Sequence, residues 1–127
     1  MNEVNQSPTY LWVGRILSGL VIAFLLFDAG GKLAKIEPVL KSMEELGLPA
    51  SSATTIGILL LVITVMYAIP QTATLGALLL TGYLGGAVAI HVRVNNPLWT
   101  HTLFPVYVEI LLWTGLALRN PKIKELF

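Results

Sequence analysis

Seven ionisable side chains of this chain lie within long apolar segments or at their ends. Carboxylates and imidazoles can accept and donate protons, and cationic side chains can bind the oxygen atoms of a head group or an anion. Each charge costs about 2.5–3.5 kcal/mol at the centre of a membrane helix, so each needs a partner or a function. The seven residues are Arg15, Asp28, Lys32, His91, Arg93, His101 and Glu109.

The apolar segments themselves have the length of membrane spans. No Asp, Glu, Lys or Arg occurs between Glu45 and Arg93, and only Pro70-Gln71-Thr72 interrupts this run. Each arm of the run approaches the roughly 20 residues that a helix needs to cross a bilayer. Hydrophobic residues make up 55% of the chain and charged residues 12%, against about 25% charged in soluble domains. The sequence therefore predicts a transmembrane helical hairpin at its centre.

Two further apolar segments flank this hairpin and complete the predicted fold. We expect an all-α membrane protein: a single four-span domain over residues 1–127, forming a four-helix transmembrane bundle. No Lys or Arg precedes the first segment, so we expect it to be a retained span and not a cleaved signal peptide. The expected spans cover about residues 10–28, 53–69, 73–92 and 103–118.

The long connection between the first and second spans has a helical pattern of its own. Ile36, Val39, Leu40 and Met43 follow the spacing of one helix face, while the charged residues fall on the other side. This pattern predicts a short helix lying in the membrane interface. A loop is the alternative interpretation.

Antiparallel spans would bring most of the ionisable residues to one membrane face. The first and third spans end there and the fourth begins, with Glu109 about 9 Å deeper by helical rise. Such a cluster could hold a polar head group, relay protons, or bind a quinone head whose tail lies in lipid. A structural explanation is also open, because Asp28 and Lys32 form an i, i+4 pair and span ends commonly carry charges. The residues expected at this face are Asp28, Lys32, His91, Arg93 and His101.

Arg15 and Glu109 lie furthest inside their spans. Arg15 could extend to the interface or pair inside the bundle. Glu109 is too short to reach water, so it could be protonated, pair with Arg15 or a hydroxyl, or have a function. His91 and His101 lack the tight spacing of a preformed metal site, and we predict no metal.

Composition excludes several classes of function. The chain has no cysteine, which excludes disulfides, thiolate nucleophiles and iron–sulfur clusters within it. The net charge of +1 comes without a local Lys/Arg cluster, so no nucleic-acid partner is expected. The cationic residues divide evenly between the two faces, and we favour cytoplasmic termini only because acidic residues offset the lysines of the long connection.

Small residues at helical spacing predict close helix contacts. Gly82 and Gly86 form a G-x-x-x-G pair, and Gly14 and Ser18 form a second small pair. Such pairs let two helix backbones approach each other in lipid. They predict packing within the bundle or between subunits, including a homo-oligomer through Gly82 and Gly86.

Three segments resemble the DoxX-like membrane proteins, the DoxX/DoxD group. They are Ala29-Gly30-Gly31-Lys32-Leu33, the run from Gly82 to Arg93, and the Leu-Trp-x-Gly-Leu pattern between Pro105 and Pro121. The resemblance implies a four-span, multi-pass protein of bacterial inner membranes. Some relatives in the wider group are membrane subunits of thiosulfate:quinone oxidoreductase, and others are associated with redox defence or protein maturation.

Two functions follow as expectations. The first is an integral membrane protein that binds a lipidic ligand such as a quinone and acts as accessory subunit of a redox partner protein. His91 and Glu109 would exchange protons with the head, and Lys32 and Arg93 would bind its oxygens. The alternative is a membrane chaperone or assembly factor that engages a partner span. A carrier is disfavoured because four spans lack inverted repeats, and no catalytic residue is assigned.

Overall fold

The computed structural model describes residues 8–120 and residue 123, and these residues form helices and no strand. The all-helical prediction is confirmed, and so is the short helix after the first long one. The first helix continues beyond Asp28, where the expected span ended, because the glycines that follow remain helical. The elements are α1 (Pro8–Ala34), α2 (Glu37–Glu45), α3 (Ser52–Ala68), α4 (Ala73–Arg93), a π-helical turn (Leu98–Thr102) and α5 (Phe104–Arg119).

Three segments are long and apolar enough to cross a membrane. They are α1 with 27 residues, α4 with 21, and the π-helical turn with α5, which together cover 22 residues. Helix α3 is even more apolar but has only 17 residues. The outward-facing side chains of these helices are largely apolar, which suits a lipid surface. These helices identify the chain as a membrane protein.

Four long helices pack side by side in a closed arrangement. Helix α1 contacts α5 and α3, and α4 contacts the same two helices from the other side. The interior is filled by fully buried side chains from each helix. One end of the bundle carries α2 and the π-helical turn, and we call it the loop end. The largest of the core side chains are Leu25, Leu60, Tyr67, Leu80 and Leu112.

The predicted contact through Gly14 and Ser18 is confirmed as the seam between α1 and α5. A Cβ atom on Gly14 would lie 2.6 Å from the backbone nitrogen of Arg119. One on Gly115 would lie 2.7 Å from the Ser18 hydroxyl oxygen. Neither distance leaves room for a side chain, so small residues are what allow these two helices to touch.

Gly82 and Gly86 have a different environment. A Cβ atom on either one, or on Gly85 between them, would meet no atom of the described residues within 4 Å. The three glycines therefore face outwards and make no contact inside this bundle. Of the two alternatives predicted from their spacing, only a contact with another molecule remains, and it stays a prediction.

Candidate ligand-binding site at the loop end

Asp28 and Lys32 form an ion pair near the end of α1. The Lys32 ammonium donates to Oδ1 of Asp28, one helical turn earlier, and both side chains are partly buried. The charge of the carboxylate is therefore balanced by the neighbouring lysine.

A cleft of about 300 Å³ opens beside Asp28. The Phe24 and Phe104 rings meet across α1 and α5, with centroids 5.5 Å apart and planes tilted by 59°. Phe27 leaves 77% of its surface exposed, so this wall faces the lipid side of the bundle. The cleft is thus an apolar slot with one carboxylate in its lining. Its lining residues are Phe24, Phe27, Asp28, Gly31, Ile36, Val39 and Phe104.

The two histidines lie together at the loop end. Their ring centroids are 6.1 Å apart, and the edge of one ring points at the face of the other. Nδ1 of His91 is 2.7 Å from the Asn96 amide, and Nδ1 of His101 is 2.8 Å from the Thr100 hydroxyl. Within the described residues no group of three or more His, Asp or Glu side chains could hold a metal ion.

Arg93 has a contact that its sequence position did not suggest. Its guanidinium donates a hydrogen bond to the carbonyl of Leu46, directly after α2. It also lies 3.1 Å from the position of a Cβ atom on Gly47. Arg93 therefore joins the end of α4 to the end of α2, and the cleft lining does not include it.

Glu109 and Arg15 lie apart from the cluster and from each other. Gly115 packs beside Ser18 in the antiparallel α1–α5 pair, so Glu109 lies level with Phe24, about 13 Å along the axis from Arg15. Glu109 makes no hydrogen bond or ion pair with the residues that the structure describes. Arg15 is exposed and its guanidinium lies 5.3 Å from the centre of the Trp12 ring. An Arg15–Glu109 pair is therefore not formed.

A buried polar network near the opposite end escaped the sequence prediction. The Tyr67 hydroxyl donates to the Leu112 carbonyl and lies 3.2 Å from the Ser18 hydroxyl. Arg119 donates to the Tyr67 carbonyl at 2.7 Å and stacks over its ring at 4.8 Å. The network ties α1, α3 and α5 together. The sequence held one signal for this network. Tyr67 lies in an apolar span, at the same depth as Ser18 and Arg119 on the neighbouring spans.

The fold and the cleft define a small helical membrane protein with an apolar site that includes one carboxylate. The model of the DoxX-like family matches residues 16–115, a range that includes every candidate residue except Arg15. The chain belongs to the DoxX-like family. No curated protein and no solved structure matches it.

Proposed function

We propose that all four long helices cross the membrane and that the chain is a multi-pass protein of a bacterial inner membrane. Helix α3 lies along α1 from Gly57, which contacts Lys32 and Leu33, to Tyr67, which contacts Ser18. It therefore covers most of the depth of a helix that is itself long enough to span. Its 17 residues are at the lower limit of about 17–25 for a transmembrane helix.

Reporter fusions test this topology. Fusions placed after Ala50, Gln71, Pro97 and Phe127 are expected to alternate between the two sides of the membrane, because each pair encloses one span. An enzyme reporter active only in the periplasm and a fluorescent reporter active only in the cytoplasm give opposite signals at each position. Reporters after Ala50 and Gln71 on the same side would contradict a spanning α3.

We also infer that the cleft binds the head of a lipidic ligand, with a quinone as the candidate class. The observation that carries this inference is the lining of the cleft: three of the four phenylalanines of the chain surround one carboxylate. The Phe24 and Phe104 rings contact each other, so a planar head would pack against this pair from within the cleft, and each such aromatic contact contributes about 0.5–1.5 kcal/mol beyond its buried area. The volume of about 300 Å³ suits a head group whose tail remains in lipid.

Asp28 would provide the polar contact to that head, because it is the one ionisable residue in the lining of the cleft. A quinol hydroxyl can donate a hydrogen bond to the Asp28 carboxylate, and the adjacent Lys32 ammonium offsets the negative charge in this apolar setting. Arg93 is engaged with Leu46, and Lys32 would act through its ion pair with Asp28. His91, His101 and Glu109 lie outside the lining, so any part that they take in proton exchange would be indirect.

The proposed role in the cell is that of an accessory subunit in a redox system. The chain has no cysteine, so any thiol chemistry coupled to the quinone would take place in a redox partner protein. The chain itself would bind the quinone in the membrane, next to that partner. The resemblance of its motifs to proteins that include quinone oxidoreductase subunits supports this role.

A second candidate function is that of a membrane chaperone or assembly factor. The observation that favours it is the outward-facing surface of Gly82, Gly85 and Gly86, where an added Cβ meets no described atom within 4 Å. Glycine surfaces of this kind let a second helix approach closely in lipid. The same surface would serve a homo-oligomer.

Purification in a mild detergent distinguishes the two functions. We expect the lipid extract of the wild-type protein to contain quinone in near-stoichiometric amount, and that of Asp28→Asn to contain much less. A stoichiometric partner protein that is lost in Gly82→Leu, with no quinone in either extract, would instead identify the assembly factor. Leu79→Ala is the matched control, because Leu79 is also exposed on α4.

A further inference from the structure

Helix α2 is held only weakly to the rest of the bundle. Met43 is the one buried residue of α2, all of whose residues the structure describes. Both of its flanking segments contain a residue in the left-handed region, Lys35 with φ 52° before it and Gly47 with φ 75° after it. Such backbone conformations mark sharp changes of direction, and for a lysine this one is uncommon. The chain therefore turns sharply at both ends of α2.

The same helix and its entry residue form one wall of the cleft. Ile36 and Val39 line the cleft together with the phenylalanines. They pack against Gly31 of α1, at 3.3 and 3.4 Å from the position of a Cβ atom there. A movement of α2 away from Gly31 would therefore widen the cleft.

Arg93 restrains that movement at the second of these turns. Its hydrogen bond to the Leu46 carbonyl joins it to the C-terminal end of α2, where carbonyl groups are free and a cation is favourable. Its guanidinium also packs against Gly47. Because Arg93 belongs to α4, this contact ties the end of α2 to a third helix of the bundle, beyond its contacts with α1 and α3.

We propose that α2 is a gate beside the cleft, which swings on Lys35 and Gly47 to widen it for a lipidic ligand that enters sideways from the membrane, and that Arg93 holds α2 against the bundle. Opening removes the contacts of Ile36, Val39 and Met43 and breaks one hydrogen bond. The identity of the entering ligand rests on the proposed function, whereas the motion of α2 does not.

A single introduced cysteine measures the motion directly, since the chain has none of its own. Met43→Cys places a thiol at the one buried position of α2, so its reaction with N-ethylmaleimide is slow until α2 is displaced. When Arg93→Gln is added, we expect this thiol to react about tenfold faster. Loss of one hydrogen bond from a charged donor allows an effect of this size. Arg15→Gln, a matched change at the far end of α1, should leave the rate unchanged.

Two further measurements make the outcome decisive. Lys41→Cys, exposed on the same helix, should react equally fast with and without Arg93→Gln, which shows that the substitution does not change the intrinsic reactivity of a thiol on α2. The pair Gly31→Cys and Val39→Cys, once oxidised to a disulfide, should slow the exchange of a short-chain ubiquinone analogue, and reduction should restore it. Equal rates at Met43→Cys with and without Arg93→Gln would overturn the gate. Absence of any quinone binding would overturn the proposed ligand but leave the labelling result intact.

Discussion

Replacing Gly76 with alanine is expected to destabilise the protein strongly. The added Cβ would lie 2.4 Å from the backbone nitrogen of Tyr67 and 2.7 Å from its Cα. Neither atom belongs to a flexible side chain, so α3 and α4 would have to separate. That separation would also shift the Tyr67 hydroxyl from its contacts with Ser18 and the Leu112 carbonyl. We expect a loss of about 1–3 kcal/mol or more, as for other overpacked cores.

The control is a glycine-to-alanine substitution at another position of α4. Gly82→Ala adds a Cβ that meets no described atom within 4 Å, and alanine is favoured over glycine in a helix by about 1 kcal/mol in water. It should therefore be neutral or slightly stabilising in the monomer. Thermal unfolding in detergent, followed by circular dichroism, compares the two variants. Equal stability of both would show that α3 and α4 do not approach each other as described.

Replacing Phe104 with alanine is expected to weaken quinone binding at least tenfold while leaving the fold intact. Its ring contacts Phe24 in the lining of the cleft, yet 44% of its surface is exposed. Loss of the ring thus removes one side of the cleft and little of the protein interior. The affinity for a short-chain ubiquinone analogue, titrated into the protein in lipid nanodiscs, measures the effect.

Ile110→Ala provides the matched comparison for Phe104→Ala. Ile110 lies on the same helix, is 59% exposed, and does not line the cleft. Its truncation removes apolar surface of similar kind from the lipid face. We expect unchanged affinity in this variant, and an equal loss in both would indicate non-specific partitioning of the analogue into the protein–lipid boundary.

The sequence was sufficient to predict the helices because their signals are local. Runs without charge define the long helices, and the spacing of Ile36, Val39 and Met43 defines α2. The contact of Gly14 and Ser18 was also predictable, since small residues one turn apart in an apolar span commonly mark a helix seam. The sequence could not show which helix packs on this seam, because the partner glycine, Gly115, is distant in the chain.

The candidate site was predicted only in part. Asp28 and Lys32 were correctly paired, because residues four apart share a helix face. The phenylalanines of the cleft went unrecognised, since Phe24 and Phe104 on separate spans have the pattern of lipid-facing residues. Only the packing of α1, α2 and α5 brings them around Asp28.

Arg93 shows a further limit of sequence interpretation. Its position at the end of an apolar span suggested a ligand contact, but the carbonyl of Leu46 occupies it. That partner lies at the end of a short helix whose direction no local pattern defines. Charged residues at span ends can be assigned to one face from the sequence, but their partners depend on how the connections fold back.

The central claim is that the cleft between α1, α2 and α5 is where a quinone head binds, and photolabelling tests it most directly. A photoreactive ubiquinone analogue, applied to the protein in nanodiscs and mapped by mass spectrometry, should label residues 24–39 and the start of α5 near Phe104. Unmodified ubiquinone should compete with this labelling, and Asp28→Asn should reduce it. Label confined to the outward glycine surface around Gly82, or labelling without competition, would contradict the claim.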